Sequence, residues 1–156
     1  MRRITIATVV LVIGATVAWA QNTEATKQRQ DAMQTVAKAS LTNFKMMKGE
    51  VPLDLAVIQS GLKVFQEQMP KFKELFPDNS QSGGDTQATA KVWSDRAGFN
   101  QAIEKFIADS KAAASGIKDE DSFKKLYPAV VANCGGCHKE KDGYAPRLGE
   151  SLKRLK

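Results

Sequence analysis

After Gln21, apolar residues recur at three- and four-residue intervals, the spacing of one buried stripe per helix. Met33, Val36, Ala37, Leu41, Phe44 and Met47 predict a first helix over about 24–48, closed by Gly49 and Val51-Pro52. Asp54 can cap a second helix carrying Ala56 or Val57, Ile58, Leu62, Phe65 and Met69, which Pro70 should break. Residues 71–87 read as a loop, through Phe76-Pro77-Asp78-Asn79-Ser80 and Gly84-Asp85-Thr86. A third helix fits about 87–114, with Val92, Trp93, Ala97, Phe99 or Asn100, Ile103, Phe106 and Ile107, and Gly116 closes it. Asp119 or Asp121 can cap a fourth over about 120–138, carrying Phe123, Leu126, Tyr127, Val130 and Val131. Pro128 inside it implies a kink or a late start. No stretch alternates as a strand would, and no repeat or linker divides the chain. The pattern predicts an all-α, up-down-up-down antiparallel four-helix bundle. In that topology the start of the first helix, the end of the second, the start of the third and the end of the fourth share one end.

The first twenty residues stand apart. Met1-Arg2-Arg3, an apolar run from Ile4 to Val17, and Ala18-Trp19-Ala20 read as a cleavable secretory signal peptide. The apolar run is short of the roughly 20 residues that span a bilayer. Cleavage would leave Gln21 at the front of a bundle domain over 21–142, with a basic tail over 143–156. It implies a periplasmic, oxidising setting with no stable membrane insertion afterwards.

Of the 156 residues, 23 are Lys or Arg and 17 Asp or Glu, a formal charge of +6. Losing Arg2 and Arg3 lowers it to +4. That excess suits transient docking to a partner protein with an acidic surface. No basic patch interleaved with aromatics argues for nucleic acid. The single His excludes any site built on two imidazoles, and two Cys cannot staple a disulfide scaffold.

Those three residues fall together in Cys134-Gly135-Gly136-Cys137-His138. Cys-x-x-Cys-His is the attachment pattern of one covalent haem c. Two thiols one helical turn apart can form thioethers with the two vinyl groups of a porphyrin, and the adjacent His can face the iron. Positions 134, 137 and 138 share a helix face, and the two glycines remove side chains beside it. A thioredoxin-like dithiol would need a βαβ context. A zinc site would need a fourth ligand. A disulfide across three residues would constrain little.

With this motif near its C-terminus, the exported helical chain resembles class II cytochrome c, the cytochrome c prime family. Arg29-Gln30-Asp31-Ala32-Met33 resembles the family's Arg-Gln-x-x-(Leu/Met) element of the first helix. Gly84-Asp85-Thr86-Gln87-Ala88, then Val92-Trp93-Ser94-Asp95 and Phe99, resembles the loop and start of the third. The resemblance covers about residues 24–142. It implies haem c on Cys134 and Cys137 with His138 as proximal ligand. It also implies Arg29 and Gln30 at the haem edge, Arg29 near a propionate, Asp85 and Thr86 beside the haem, and Trp93 in the pocket wall. Many relatives pair through their first two helices, which admits a homodimer. The family has an aromatic and then a basic residue at the third and fourth places after the His. This chain has Lys141 and Asp142 there, so the surroundings of His138 on its outer side stay open, as does the role of the tail.

The sixth ligand separates two functions in the family. An apolar residue opposite the His gives five-coordinate iron that binds nitric oxide or carbon monoxide. A Met there gives a low-spin electron carrier. That position is Met33, and a thioether is a suitable axial ligand. Met46 and Met47 lie roughly 20 Å further along the same helix. Met69 is at the correct end and competes; Met33 as plain core filler is the remaining option. The sequence therefore favours single-electron transfer with His138 and Met33 as ligands. The alternatives are a gas-binding haem protein and a peroxidase-like enzyme. The enzyme is disfavoured because no distal His or acid–base pair is present.

Overall fold

The computed structural model describes residues 5–149 except Gly83 and Glu140, with side chains described from Thr23 onward. Its helices are α1 (Thr5–Met47), α2 (Leu55–Lys73), α3 (Lys91–Ser94), α4 (Arg96–Gly116) and α5 (Glu120–Cys137), with a short 3₁₀ turn at Asp78–Ser80. α1, α2, α4 and α5 form the bundle, and no named strand occurs among the described residues.

The helix ends follow local chemistry. α1 ends in a Schellman turn: Glu50 N–H donates to Lys45 O at 2.9 Å and Gly49 N–H to Met46 O at 3.0 Å. Gly49 takes φ +73°, which only glycine adopts without cost. Asp54 caps α2 by accepting the N–H groups of Ala56 and Val57. Of the two cap candidates for α5, Asp119 serves, in a reciprocal capping box with Ser122.

Four expectations are corrected. The third helix does not run unbroken from 87. Residues 86–89 are not helical, and α3 and α4 are separated at Asp95, whose backbone leaves the helical region and whose side chain caps Gly98 N–H. α2 passes through Pro70 and ends at Lys73, one turn later, so the proline costs its own helical bond without ending the helix at once. α5 starts at Glu120 and continues through Pro128, so the late start is ruled out. Leu41, read as core, is 59% exposed. The buried face of α1 is instead the row Thr26, Arg29, Val36, Asn43 and Met46, three of whose five members are polar.

The core joins Val36 and Met46 of α1 to Ile58, Leu62, Phe65 and Met69 of α2, Ile103 and Phe106 of α4, and Phe123, Tyr127 and Val130 of α5. Gly61 lets α1 approach α2 closely: a Cβ there would lie 2.6 Å from Asn43 Nδ2 and 2.9 Å from Ala39 O. On the other flank the Asn43 amide faces the Tyr127 hydroxyl outside good hydrogen-bond geometry.

That proximity marks the register of α1 against α5. Ten residues back along α1 is Met33, and ten residues forward along α5 is Cys137. The helices run antiparallel, so at 1.5 Å per residue both lie about 15 Å toward the same end of the bundle.

Candidate functional site

The shared end of the bundle carries two clusters. The first is built around Arg29 of α1, which is only 5% exposed. Its Nε donates to Leu75 O at 2.7 Å, Nη1 to Ser80 O at 3.2 Å, and Nη2 to Ser80 Oγ. The guanidinium lies 4.3 Å from the Phe76 ring centroid and 5.4 Å from that of Trp93. Burial, with the nearby Arg96 cation second, pulls its pKa down to about 10. Arg29 is therefore no solvated charge. Three of its N–H groups hold the segment after α2 against α1.

Beside it, Gln30 Nε2 donates to Asp85 O at 2.9 Å, joining two sequence-predicted residues 55 positions apart. Thr86 Oγ accepts from Ala88 N–H at 3.3 Å and shapes the approach to α3. Trp93 donates its indole N–H to Pro77 O at 3.1 Å and meets Phe76 edge-on at 5.9 Å.

The second cluster comprises the last turn of α5 and the tail segment beyond it. Cys134 and Cys137 are free, half-buried thiols. Burial pushes both up, Cys137 to about 11, so they are protonated at neutral pH and poor as redox thiolates or zinc ligands. Among the described residues no three His, Cys, Asp or Glu side chains converge as a metal cluster. Gly135 and Gly136 are exposed, and a Cβ at either would meet nothing within 4 Å, so no protein contact requires glycine there.

His138 caps α5, its N–H bonded to Cys134 O at 2.9 Å. Its Nδ1 lies 2.9 Å from Pro146 O. A carbonyl can only accept, so Nδ1 carries the proton and Nε2 is the lone-pair nitrogen of the neutral ring. Burial lowers the imidazole pKa, against the opposing pull of Pro146, which favours that neutral form.

Sequence reasoning missed the elements that hold His138. The tail folds back: Tyr144 and Ala145 donate their N–H groups to Cys137 O at 3.0 and 3.3 Å. Tyr144 Oη donates to Asp95 Oδ2 at 2.8 Å. The only sequence signal was the unusual pair Lys141 and Asp142; the structure brings an aromatic in three places later. Residues 150–156 of the tail lie outside the described residues.

The two clusters are linked by rings. Tyr144, Phe99 and Phe76 stack edge to face, with centroids 5.3 and 4.9 Å apart, and Phe76 carries Arg29. Met33 is half-buried against the core on the buried side of α1, between Arg29 and Val36, whereas Met69 is 4% exposed and embedded in it.

The donor set fits haem c. Two thiols one turn apart can add across two vinyl groups, and a neutral imidazole with Nδ1 already engaged offers Nε2 to iron. The comparisons with known proteins agree. A family model described as Cytochrome C' matches residues 24–140. Cytochrome c' of Rhodopseudomonas palustris is 38% identical over 128 residues, covering 82% of this chain and 87% of its own. Cytochrome c-556 of the same organism is 30% identical over 145 residues, covering 86% and 97%. The solved cytochrome c' from Rhodopseudomonas palustris superposes with a TM-score of 0.73 at 36% identity, over 78% of this chain and 95% of that one.

Proposed function

The chain belongs to the cytochrome c' family, with covalently bound haem c as its cofactor, and from that premise we propose that it is an exported carrier of single electrons. In this reading Cys134 and Cys137 hold the haem by thioethers, His138 is the proximal ligand and Met33 the distal one. When bound, the haem supplies an iron that gains and loses one electron.

The observation that carries the reading is that Met33 lies one turn along α1 from Arg29, whose Phe76–Phe99–Tyr144 ring chain leads to the end of α5. Met33 is half-buried there, so its thioether can turn to a ligand without leaving a core socket. Met69 would have to leave one. Arg29 is engaged with backbone carbonyls, which argues against a catalytic role for it and so against a peroxidase. Gln30, Asp85 and Thr86 would line the haem edge, with Trp93 in the wall behind.

Residues 1–20 would direct export to the periplasm and be removed. Among the described residues no helix is long and apolar enough to cross a membrane. Removal would spare the bundle, because Thr26 is the first buried side chain described on α1. Exposed Lys139, Lys141 and Arg147 beside the α5 terminus suit an acidic redox partner. Exposed Leu41 on α1 and Leu55 on α2 suit self-association through those helices.

The test is the spectrum of Met33→Ala. The wild-type ferric protein should show low-spin iron with a near-infrared sulfur-to-iron band, and the variant should lose it. An unchanged spectrum would overturn Met33 as ligand. A high-spin wild type that takes up carbon monoxide at once would instead establish the five-coordinate, gas-binding reading.

A further inference from the structure

We propose that Tyr144 is a positioning residue for the axial imidazole: by donating its hydroxyl to Asp95 it anchors a strap, residues 141–149, that keeps the Pro146 carbonyl on His138 Nδ1. This rests on the reading of His138 as the iron ligand.

The strap is tied at several points, all to one side of the site. Thr89 N–H donates to Tyr144 O at 3.0 Å, and Thr89 Oγ to Gly143 O at 2.7 Å. Lys91 Nζ donates to Asp142 O at 2.9 Å. The Tyr144 ring packs on Phe99 at 5.3 Å. These bonds hold the strap by its backbone up to Tyr144. Past that residue the strap is held by Ala145 N–H on Cys137 O and by the Pro146–His138 contact itself. The tyrosine side chain thus anchors the strap to the bundle two residues before the carbonyl that matters.

Two glycines make room for this arrangement. A Cβ on Gly98 would lie 2.5 Å from both Tyr144 Oη and Asp95 Oδ2. A Cβ on Gly143 would lie 2.7 Å from Lys139 N and 2.8 Å from Ala145 O. Both oxygens of Asp95 are engaged: Oδ1 caps Gly98 N–H of α4 and Oδ2 takes the tyrosine. Asp95 therefore ties the strap to the start of α4, so the position of His138 is referred to the bundle rather than to a loose end of chain.

A carbonyl on Nδ1–H makes an imidazole more electron-rich at Nε2 and fixes its rotation. A richer donor stabilises the ferric state, so loosening the strap should raise the midpoint potential.

The chain has one histidine, so ¹⁵N-histidine labelling of the haem-loaded protein reports on His138 alone. In Tyr144→Phe, which keeps the ring on Phe99, solvent exchange of the Nδ1 proton should quicken at least tenfold and the midpoint potential should move positive. Ser122→Ala, which weakens the α5 cap at the far end, controls for loss of stability and should move neither readout. If Tyr144→Phe leaves both unchanged, or Ser122→Ala moves them equally, the strap has no positioning role. If the wild-type His138 resonances do not respond to the iron oxidation state, His138 is not the ligand and the underlying reading falls first.

Discussion

Arg29 and His138 sit at the same end of the bundle, yet the fold treats them oppositely. Arg29 is consumed: buried, sandwiched against Phe76, and spent on backbone carbonyls and a serine. His138 is presented: half-buried at the end of a helix, with Nδ1 held by the Pro146 carbonyl and Nε2 the lone-pair nitrogen. Both residue types can serve a haem. The comparison teaches that one secures the loop that frames the site, while the other is held as the proposed ligand would have to be. A buried cation is costly unless its donors are satisfied, so it is built into the core. A ligand must keep a lone pair toward its metal, so it is held from behind.

The sharpest way to break this contrast is to remove the haem anchors beside His138 on one side and Arg29 on the other. Cys134→Ser with Cys137→Ser should abolish covalent haem altogether, read as loss of haem stain on a denaturing gel, while helical content by circular dichroism stays above half. Covalent haem surviving the double change would refute the attachment site. Arg29→Met should do the reverse. It strands the carbonyls of Leu75 and Ser80 and the Ser80 hydroxyl, and should lower the unfolding free energy by about 2–4 kcal/mol in urea titrations while haem stays attached. If haem loading collapses with no loss of stability, Arg29 acts on the cofactor directly and the contrast fails.

The smallest effect lies in alkali. Burial first, and Asp95 second, push the Tyr144 phenol up to about 12. The unfolded phenol titrates near 10, so the folded chain holds this proton more tightly. The stabilisation it brings is complete below about pH 10 and fades as pH rises through 12. Tyr144→Phe should therefore be less stable than the wild type at pH 8, and the gap should narrow from pH 10 upward and be mostly gone at pH 12. Tyr127, also pushed up to about 12 by burial, titrates in both proteins and drops out of the difference. A gap that persists at pH 12 would mean that the Asp95 bond does not depend on the phenol proton.

Much of this was legible in the chain. The helices, their caps at Asp54 and Asp119, and the grouping of the only His with the only Cys pair are local properties, read from spacing and from the chemistry of each residue type. The nearness of the Met33 end of α1 to the end of α5 was readable only as topology; the Arg29–Phe76–Phe99–Tyr144 packing that joins them is anticipated by no local rule. The face of α1 was misjudged because apolar residues were taken as the buried ones. Leu41 is outside, and Thr26, Arg29 and Asn43 are inside. Burial of polar groups depends on partners from other helices, and those are not written in the stripe.

The sequence by itself determined the four-helix pattern and the thioether and imidazole chemistry, because both depend on residues within one or two turns of each other. The tertiary structure decided how that chemistry is held. Asp95 and Tyr144, 49 positions apart, bring Pro146 to the back of His138. Arg29 closes over Ser80, 51 positions away. Such pairings are set by how helices and tail pack around a shared core, and that packing sums many weak contacts that no single segment specifies.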